Sequence, residues 1–300
     1  MITTDHGRVT INITEPFNNR LLLTFLKKEL EFSQAKISSV KFDSEGILLN
    51  GQPVPVRTFL HTGDVLSIRI MDSVNRQEHL IPAEMPLKIL YEDENLIAVN
   101  KPAGVVCHPS KGHLTDSLAS GLMYYFSQNQ PEARVHLLGR LDKETSGIVL
   151  CAKNGFTADR LRGKIEKTYT AVAEGQFTEP EGIIRFPMKE VRDQEGILKM
   201  TSGPDGKEAV TIYKALTHTE KYTVLEVRPV TGRTHQIRFH MAYFRHPLVG
   251  DRMYGTGAEC IGRTALHAGE LAFHHPFTGE RICIRAEVPE DIKRLYGGCS

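Results

Sequence analysis

The sequence has no C-x-x-C pair. Its five cysteines, Cys107, Cys151, Cys260, Cys283 and Cys299, are widely spaced and odd in number, which argues against a zinc ribbon, a redox dithiol or a disulfide-stapled module. Reduced thiols and a cytoplasmic setting are the expectation. No stretch approaches the ~20 apolar residues that a membrane span requires, and the opening Met-Ile-Thr-Thr-Asp-His-Gly has neither the basic nor the apolar segment of a secretory signal. An excess of charge of either sign is also missing. With 37 Lys and Arg against 36 Asp and Glu, the formal charge of +1 is too balanced for a disordered polybasic or polyacidic chain. Repeats, heptads and low-complexity tracts are absent. What is present is 300 residues with 40% hydrophobic content, enough for about two folding units at roughly 150 residues each.

From about Asn19 to Met71 the pattern is that of a small α+β unit. Arg20 to Lys28 puts apolar residues at helical spacing, Ile47 to Val54 reads as a strand entering a tight turn at Asn50-Gly51, and Val65 to Ile70 alternates as a half-buried strand. Two short helices followed by a small hairpin are predicted. Polar residues from Asp72 to Ile81, then Pro82 and Pro86, mark a boundary. The chain therefore divides into an N-terminal domain at 1–75 with its core at 19–71, a linker at 76–86 and a larger body at 87–300.

The larger body reads as α+β and rich in strands. Short strands are predicted at Leu87 to Leu90 and Leu96 to Val99 around the acidic turn Tyr91 to Asn95, and longer ones at Gly147 to Ala152 and Thr168 to Ala173. A helix is predicted over Thr115 to Phe126, with Thr115 as N-cap and Leu118, Leu122 and Phe126 on one face. A second should run from Asn154 to Glu166, burying Phe156, Leu161 and Ile165 and leaving Arg160, Arg162 and Lys164 outside. A third should run from Thr234 to Phe244, with Ile237, Met241 and Phe244 as its buried face.

The neutral total hides two basic stretches. Arg228 to Arg252 holds five arginines and one acid, Asp251, and Arg140 to Lys167 holds seven cations against four acids. Planar guanidinium groups bind phosphates through paired hydrogen bonds, so such stretches suit phosphodiester contact. A solvated surface is the bland alternative. Asp142 lies in the loop Gly139 to Gly147, where it can hold a carboxylate at the mouth of a cleft or merely accept local turn hydrogen bonds.

Arg140-Leu141-Asp142-x-x-Thr145-Ser146-Gly147 resembles the signature of the RluA-type pseudouridine synthases. Asn100-Lys101-Pro102-Ala103-Gly104 with His108-Pro109, Lys167-x-Tyr169-x-Ala171, Thr231 to His240, Pro247 to Asp251, and Leu266-His267-Ala268 agree in order. The resemblance covers Leu87 to Glu287. It implies a mixed, mainly antiparallel sheet with flanking helices and a central cleft, no cofactor, no metal, and structured ribosomal or transfer RNA as the partner of a monomeric isomerase. It assigns the carboxylate that attacks the sugar or the ring, or takes the ribose 2′ proton, to Asp142. Its cationic partner would be Arg238, otherwise an ordinary surface arginine, and the ring stacked on uracil would be Tyr169, otherwise a half-buried strand tyrosine. Arg140 matches the residue that fills the space a flipped base leaves. Phosphate contacts from Arg233, Arg160, Arg162 and Lys164 are expected from the charge pattern. Family members often have His where this chain has Gly139, a departure that should bear on substrate subclass. The segment from Asn19 to Ile70 is similar to an S-four-type RNA-binding domain, although residues 1–80 hold nine cations and nine acids.

Other readings are weaker. His235 with His240, or His267 with His274 and His275, lack the spacing of zinc ligands. Gly255-Thr256-Gly257 lacks the Lys of a phosphate loop, and a Cys107–His108 pair is set aside because adjacent strand residues face opposite ways. A noncatalytic RNA-binding protein on the same scaffold could tolerate loss of Asp142, Tyr169 or Arg238, and all three are present.

Overall fold

Short alternating strands dominate the N-terminal segment of the computed structural model, which describes residues 2–5, 7–71, 80–110, 112–194, 196–257 and 260–297. Part of the expected linker (76–79) and Cys299 lie outside the described residues. The elements in chain order are β1 (Ile2–Asp5), β2 (Arg8–Asn12), β3 (Arg20–Leu21), α1 (Leu22–Lys28), α2 (Gln34–Lys41), β4 (Ile47–Leu49), β5 (Gln52–Pro53), β6 (Phe59–Leu60) and β7 (Val65–Arg69). β2 buries Val9 and Ile11 and β7 buries Leu66 and Ile68, the period-two pattern of strands with one face on a core. The sheet order is β1-β2-β7-β4-β5. Two of its strands thus come from residues ahead of the predicted 19–71 core. The β4–β5 hairpin turns at Asn50 and Gly51, both with positive φ (53° and 78°), as a two-residue hairpin loop requires.

The remaining elements are β8 (Ile89–Glu92), β9 (Leu96–Lys101), α3 (Leu118–Asn129), β10 (His136–Leu137), β11 (Ser146–Ala152), α4 (Gly155–Leu161), β12 (Glu166–Glu174), β13 (Glu181–Arg192), β14 (Leu198–Ser202), β15 (Lys207–His218), β16 (Tyr222–Pro229), α5 (Gln236–Tyr243), β17 (Leu266–His274), β18 (Arg281–Arg285) and α6 (Glu290–Lys293). Eleven strands form one mixed sheet in the order β14-β13-β15-β16-β12-β17-β11-β9-β8, with β10 on β11 and β18 on β17. Every pairing in it is antiparallel except β11 with β17. The α+β, mainly antiparallel class expected from the sequence is the one observed.

Element boundaries differ where capping chemistry decides them. α3 begins after Ser117, whose side chain accepts from the Ser120 amide, and not after Thr115. α4 stops at Leu161, because Gly163 adopts φ +74° and Glu166 already pairs with Ala272 in the sheet. Phe244, predicted to be buried, is 47% exposed at the end of α5, and the buried stripe of that helix contains Arg238 and His240 beside Ile237 and Met241.

α4 also carries the contact with the N-terminal segment. Phe156 joins the core of Leu22, Phe25, Ile37 and Ile68, and its ring lies 4.6 Å from Phe32 and 5.9 Å from Phe277. Lys164 pairs with Glu31 at 2.9 Å, and Arg160 reaches the Leu30 carbonyl at 3.5 Å.

The β11–β17–β12 junction sets the positions that matter for chemistry. Ala268 on β17 is level with Gly147 on one side and Tyr169 on the other. A Cβ on Gly147 would lie 2.3 Å from the Ala268 carbonyl oxygen, and its φ of +118° is one that side-chain-bearing residues rarely adopt. Gly147→Ala is expected to cost more than about 2 kcal/mol in denaturant unfolding, since backbone has to move and not merely a side chain.

Candidate active site

The loop before β11 is held from behind by residues far away in sequence. Lys101 is fully buried at the end of β9, and its Nζ donates to the carbonyls of Pro102 (2.8 Å), Val105 (2.7 Å) and Lys143 (3.2 Å). The Gly104 amide donates to the same Lys143 carbonyl at 2.8 Å. Cys107 lies in a loop and its buried Sγ is 3.3 Å from both the amide and the carbonyl of Leu141, a backbone contact in place of any pairing with His108. Asp142 follows directly, and its own carbonyl accepts from the Thr145 amide at 3.1 Å. The Asn100 to Gly104 motif thus acts as the rear support of the Asp142 loop.

Arg238 brings the second basic stretch to this loop. Its Nη1 donates to Asp142 Oδ2 at 3.1 Å, while Nε and Nη2 form a two-pronged pair with Asp251 at 2.7 and 2.9 Å. The Tyr254 ring lies 5.4 Å from the guanidinium carbon, a favourable cation–ring contact. Burial works against the charge on Arg238, but the hydrogen bonds and charges of Asp251 and Asp142 outweigh it and hold its pKa above the ordinary arginine value. Burial likewise pushes the Asp251 carboxyl up, yet Arg238 and the amides of Met253 and Tyr254 bring it below the usual aspartate range. Asp251 was only part of a matching segment in the sequence. Its signal was there nonetheless, as the single acid in a stretch of five arginines.

Tyr169 reaches the same place from β12, where the pairing with β17 shifts register between Thr168 and Tyr169. Such a bulge re-aims the side chain that follows it. Tyr169 is buried, and burial together with the negative charge of Asp142 raises its hydroxyl pKa, so the phenol keeps its proton at neutral pH.

These groups line a cleft of about 990 Å³. Arg140, Lys143, Arg162, Lys167, Arg233 and Arg238 stand in its wall, and Asp142 is the one acid among the described lining residues. Burial pulls the Lys167 ammonium down to about 8. Gly139 sits opposite, and a Cβ there would come within 2.9 Å of Lys167 Nζ. Of the residues expected to meet RNA, Arg140, Arg162 and Arg233 stand in the cleft wall. Arg160 and Lys164 are not in the wall: Arg160 reaches the Leu30 carbonyl and the half-exposed Lys164 pairs with Glu31, both on the N-terminal segment.

A braced carboxylate beside a tyrosine, in a cleft with six cations in its wall, is an arrangement suited to nucleophilic or acid–base chemistry on a polyanionic substrate. A family model described as RNA pseudouridylate synthase matches residues 95–243. The chain is 37% identical to the RNA pseudouridine synthase YjbO of Bacillus subtilis over 275 residues, covering 90% of this chain and 96% of that one. It is 36% identical to ribosomal large subunit pseudouridine synthase D of Xanthomonas campestris, covering 88% and 84%. Among solved structures, human RNA pseudouridylate synthase domain containing 1 is similar, with a TM-score of 0.55 and 25% identity over 67% of this chain and 83% of that one. The chain belongs to the RluA-type family of RNA pseudouridine synthases.

Proposed function

We propose that the enzyme isomerises particular uridines of structured RNA, with ribosomal large-subunit RNA the favoured substrate and transfer RNA the alternative, by flipping the base out and using Asp142 as nucleophile or base. The observation that carries this is the Asp142–Arg238 pair, backed by the buried Asp251, in a cleft whose wall holds six cations and one acid. Relatives named for the ribosomal large subunit favour that RNA.

The reaction breaks the glycosidic bond to a ring nitrogen, turns the uracil and joins the ribose to carbon 5, releasing the proton from that carbon. Asp142 suits attack on the anomeric carbon or on carbon 6, or removal of the ribose 2′ proton. Arg238, itself fixed by Asp251, stabilises the ionised carboxylate and sets its direction. The protonated Tyr169 hydroxyl serves as a relay for the carbon 5 proton and its ring as a stacking surface. Flipping costs a few kcal/mol of unstacking, offset by Arg140 entering the gap and by phosphate contacts from Arg162 and Arg233. Residues 1–75 form an S-four-like RNA-binding domain joined at 76–86 to a catalytic domain at 87–300, and the enzyme works in the cytoplasm as a monomer without a cofactor.

RNA labelled with tritium at carbon 5 of uridine, taken from cells lacking the gene, tests the reading. Purified enzyme should release tritium into water. If ribosomal and transfer RNA both bind without release, the assignment of substrate is wrong.

A further inference from the structure

His235 stands at the start of α5 in the left-handed region, with φ 51° and ψ 21°. Side-chain-bearing residues adopt that conformation uncommonly, and it persists where the surroundings hold it. Here the hold is Tyr254, whose hydroxyl is 3.0 Å from His235 Nδ1 and accepts the Met200 amide at 2.8 Å. We assign the hydroxyl as donor to His235 Nδ1, since its oxygen already accepts the Met200 amide, and this assignment puts the ring proton on Nε2. His235 lines the cleft between Arg238 and the Arg233 loop, and Nε2 has no hydrogen-bond partner among the described residues.

We infer that His235 is a specificity-determining residue whose Nε2–H donates to a carbonyl oxygen of the target uracil. This rests on the pseudouridine synthase reading of the cleft. Three features argue for a carbonyl over a phosphate. The charges that act on His235 are those of Asp142, Arg238, Asp251 and Arg140, so it lies in the part of the cleft where Asp142 and Arg238 meet. Burial lowers its tendency to protonate, and so do Arg238 and Arg140, against the opposing pull of Asp142 and Asp251. A neutral N–H matches a neutral carbonyl, while guanidinium groups in the same wall are the better phosphate ligands. A donor at the pyrimidine 4-position would also oppose cytosine, which presents an amino group where uracil presents an oxygen.

The test compares His235→Asn and His235→Gln. Asn accepts the left-handed backbone but reaches only the Nδ1 position, whereas the Gln amide reaches the Nε2 position. On large-subunit ribosomal RNA transcripts, with pseudouridine counted by mass after digestion, Asn should lower kcat/KM about tenfold or more and Gln should restore most of it. Transcripts bearing 2-thiouridine or 4-thiouridine should be poor substrates for the native enzyme at one of the two positions, with that penalty shrinking in His235→Asn. Tyr254→Phe, which keeps the ring under Arg238, should show a smaller loss of the same kind. The inference fails if Asn matches the native enzyme, if Asn and Gln lose activity equally together with melting temperature, or if only phosphorothioate substitution separates the variants. If the native enzyme modifies transfer RNA and not these transcripts, the substrate proposal fails, and the same variants compared on transfer RNA decide the role of His235.

Discussion

Asp142→Asn is expected to abolish turnover, by about 10⁴-fold or more, while RNA affinity stays within several-fold of the native value. In the proposed mechanism the carboxylate is the reacting group, and the amide that replaces it is of nearly the same size, so the cleft wall is preserved. Affinity in that mechanism comes from phosphate contacts, and the side chains proposed to make them are not those removed. The variant also leaves Arg238 its two-pronged partner Asp251, at 2.7 and 2.9 Å, so the guanidinium is not stranded. Tritium release gives the first quantity and filter binding across a salt series the second. A matching loss of affinity would show that Asp142 shapes the RNA site instead of reacting in it.

The second large effect is expected at Asp251, which is fully buried and accepts from Arg238 and from the amides of Met253 and Tyr254. Asp251→Ala should lower the melting temperature by roughly 10 °C, because breaking a buried ion pair costs about 3–5 kcal/mol in a catalytic body of this size. Turnover should fall by about 100-fold as Arg238 loses the partner that fixes its direction. The pH dependence has a definite sign. Because the Asp251 carboxyl is held below its ordinary range, the stability it contributes is full above an unfolded-state pKa of about 3.9 and is lost as pH falls through the lower folded value. Denaturant unfolding followed below about pH 4 should therefore show a native acid-induced loss that the Ala variant lacks in part. An unchanged melting temperature would mean that Arg238 is held by other groups.

Much of the fold was legible because burial repeats along the chain. The run Gly147 to Ala152 is entirely buried, and Leu118, Leu122 and Phe126 do share one buried face. Ends of helices were less so. α4 closes at a left-handed glycine and α3 opens at the serine that caps it, both choices of one residue within a permissive stretch. β1 and β2 lie ahead of the predicted core, and β1, Ile-Thr-Thr-Asp, has a single apolar residue to mark a face.

The site divides the same way. Asp142, Tyr169 and Arg238 could be named because they sit in short motifs, and the structure brings all three to one cleft. What no local pattern contains is the partner of a charge. Asp251 meets Arg238 from thirteen residues away, Lys101 meets the Lys143 carbonyl from 42, and Lys164 meets Glu31 from 133. Helical periodicity put Arg160 and Lys164 on the outside of the predicted 154–166 helix, of which Lys164 lies past the end of α4, but said nothing of what lay beyond it. The neutral composition is silent in a related way, since the compensating acids stand elsewhere and the charged groups of the cleft wall are six cations and one acid.

The strands that carry Tyr169 and follow Asp142 do not pair with each other. β17, made of residues 266 to 274, lies between them and, among the described residues, is the one strand that pairs with both. During synthesis, Asp142 and Tyr169 both leave the ribosome ahead of the strand that unites their own strands. A nascent chain without residues 266–274 therefore lacks the pairing that sets the end of the Asp142 loop level with Tyr169, and the cleft takes its shape only when that strand joins the sheet.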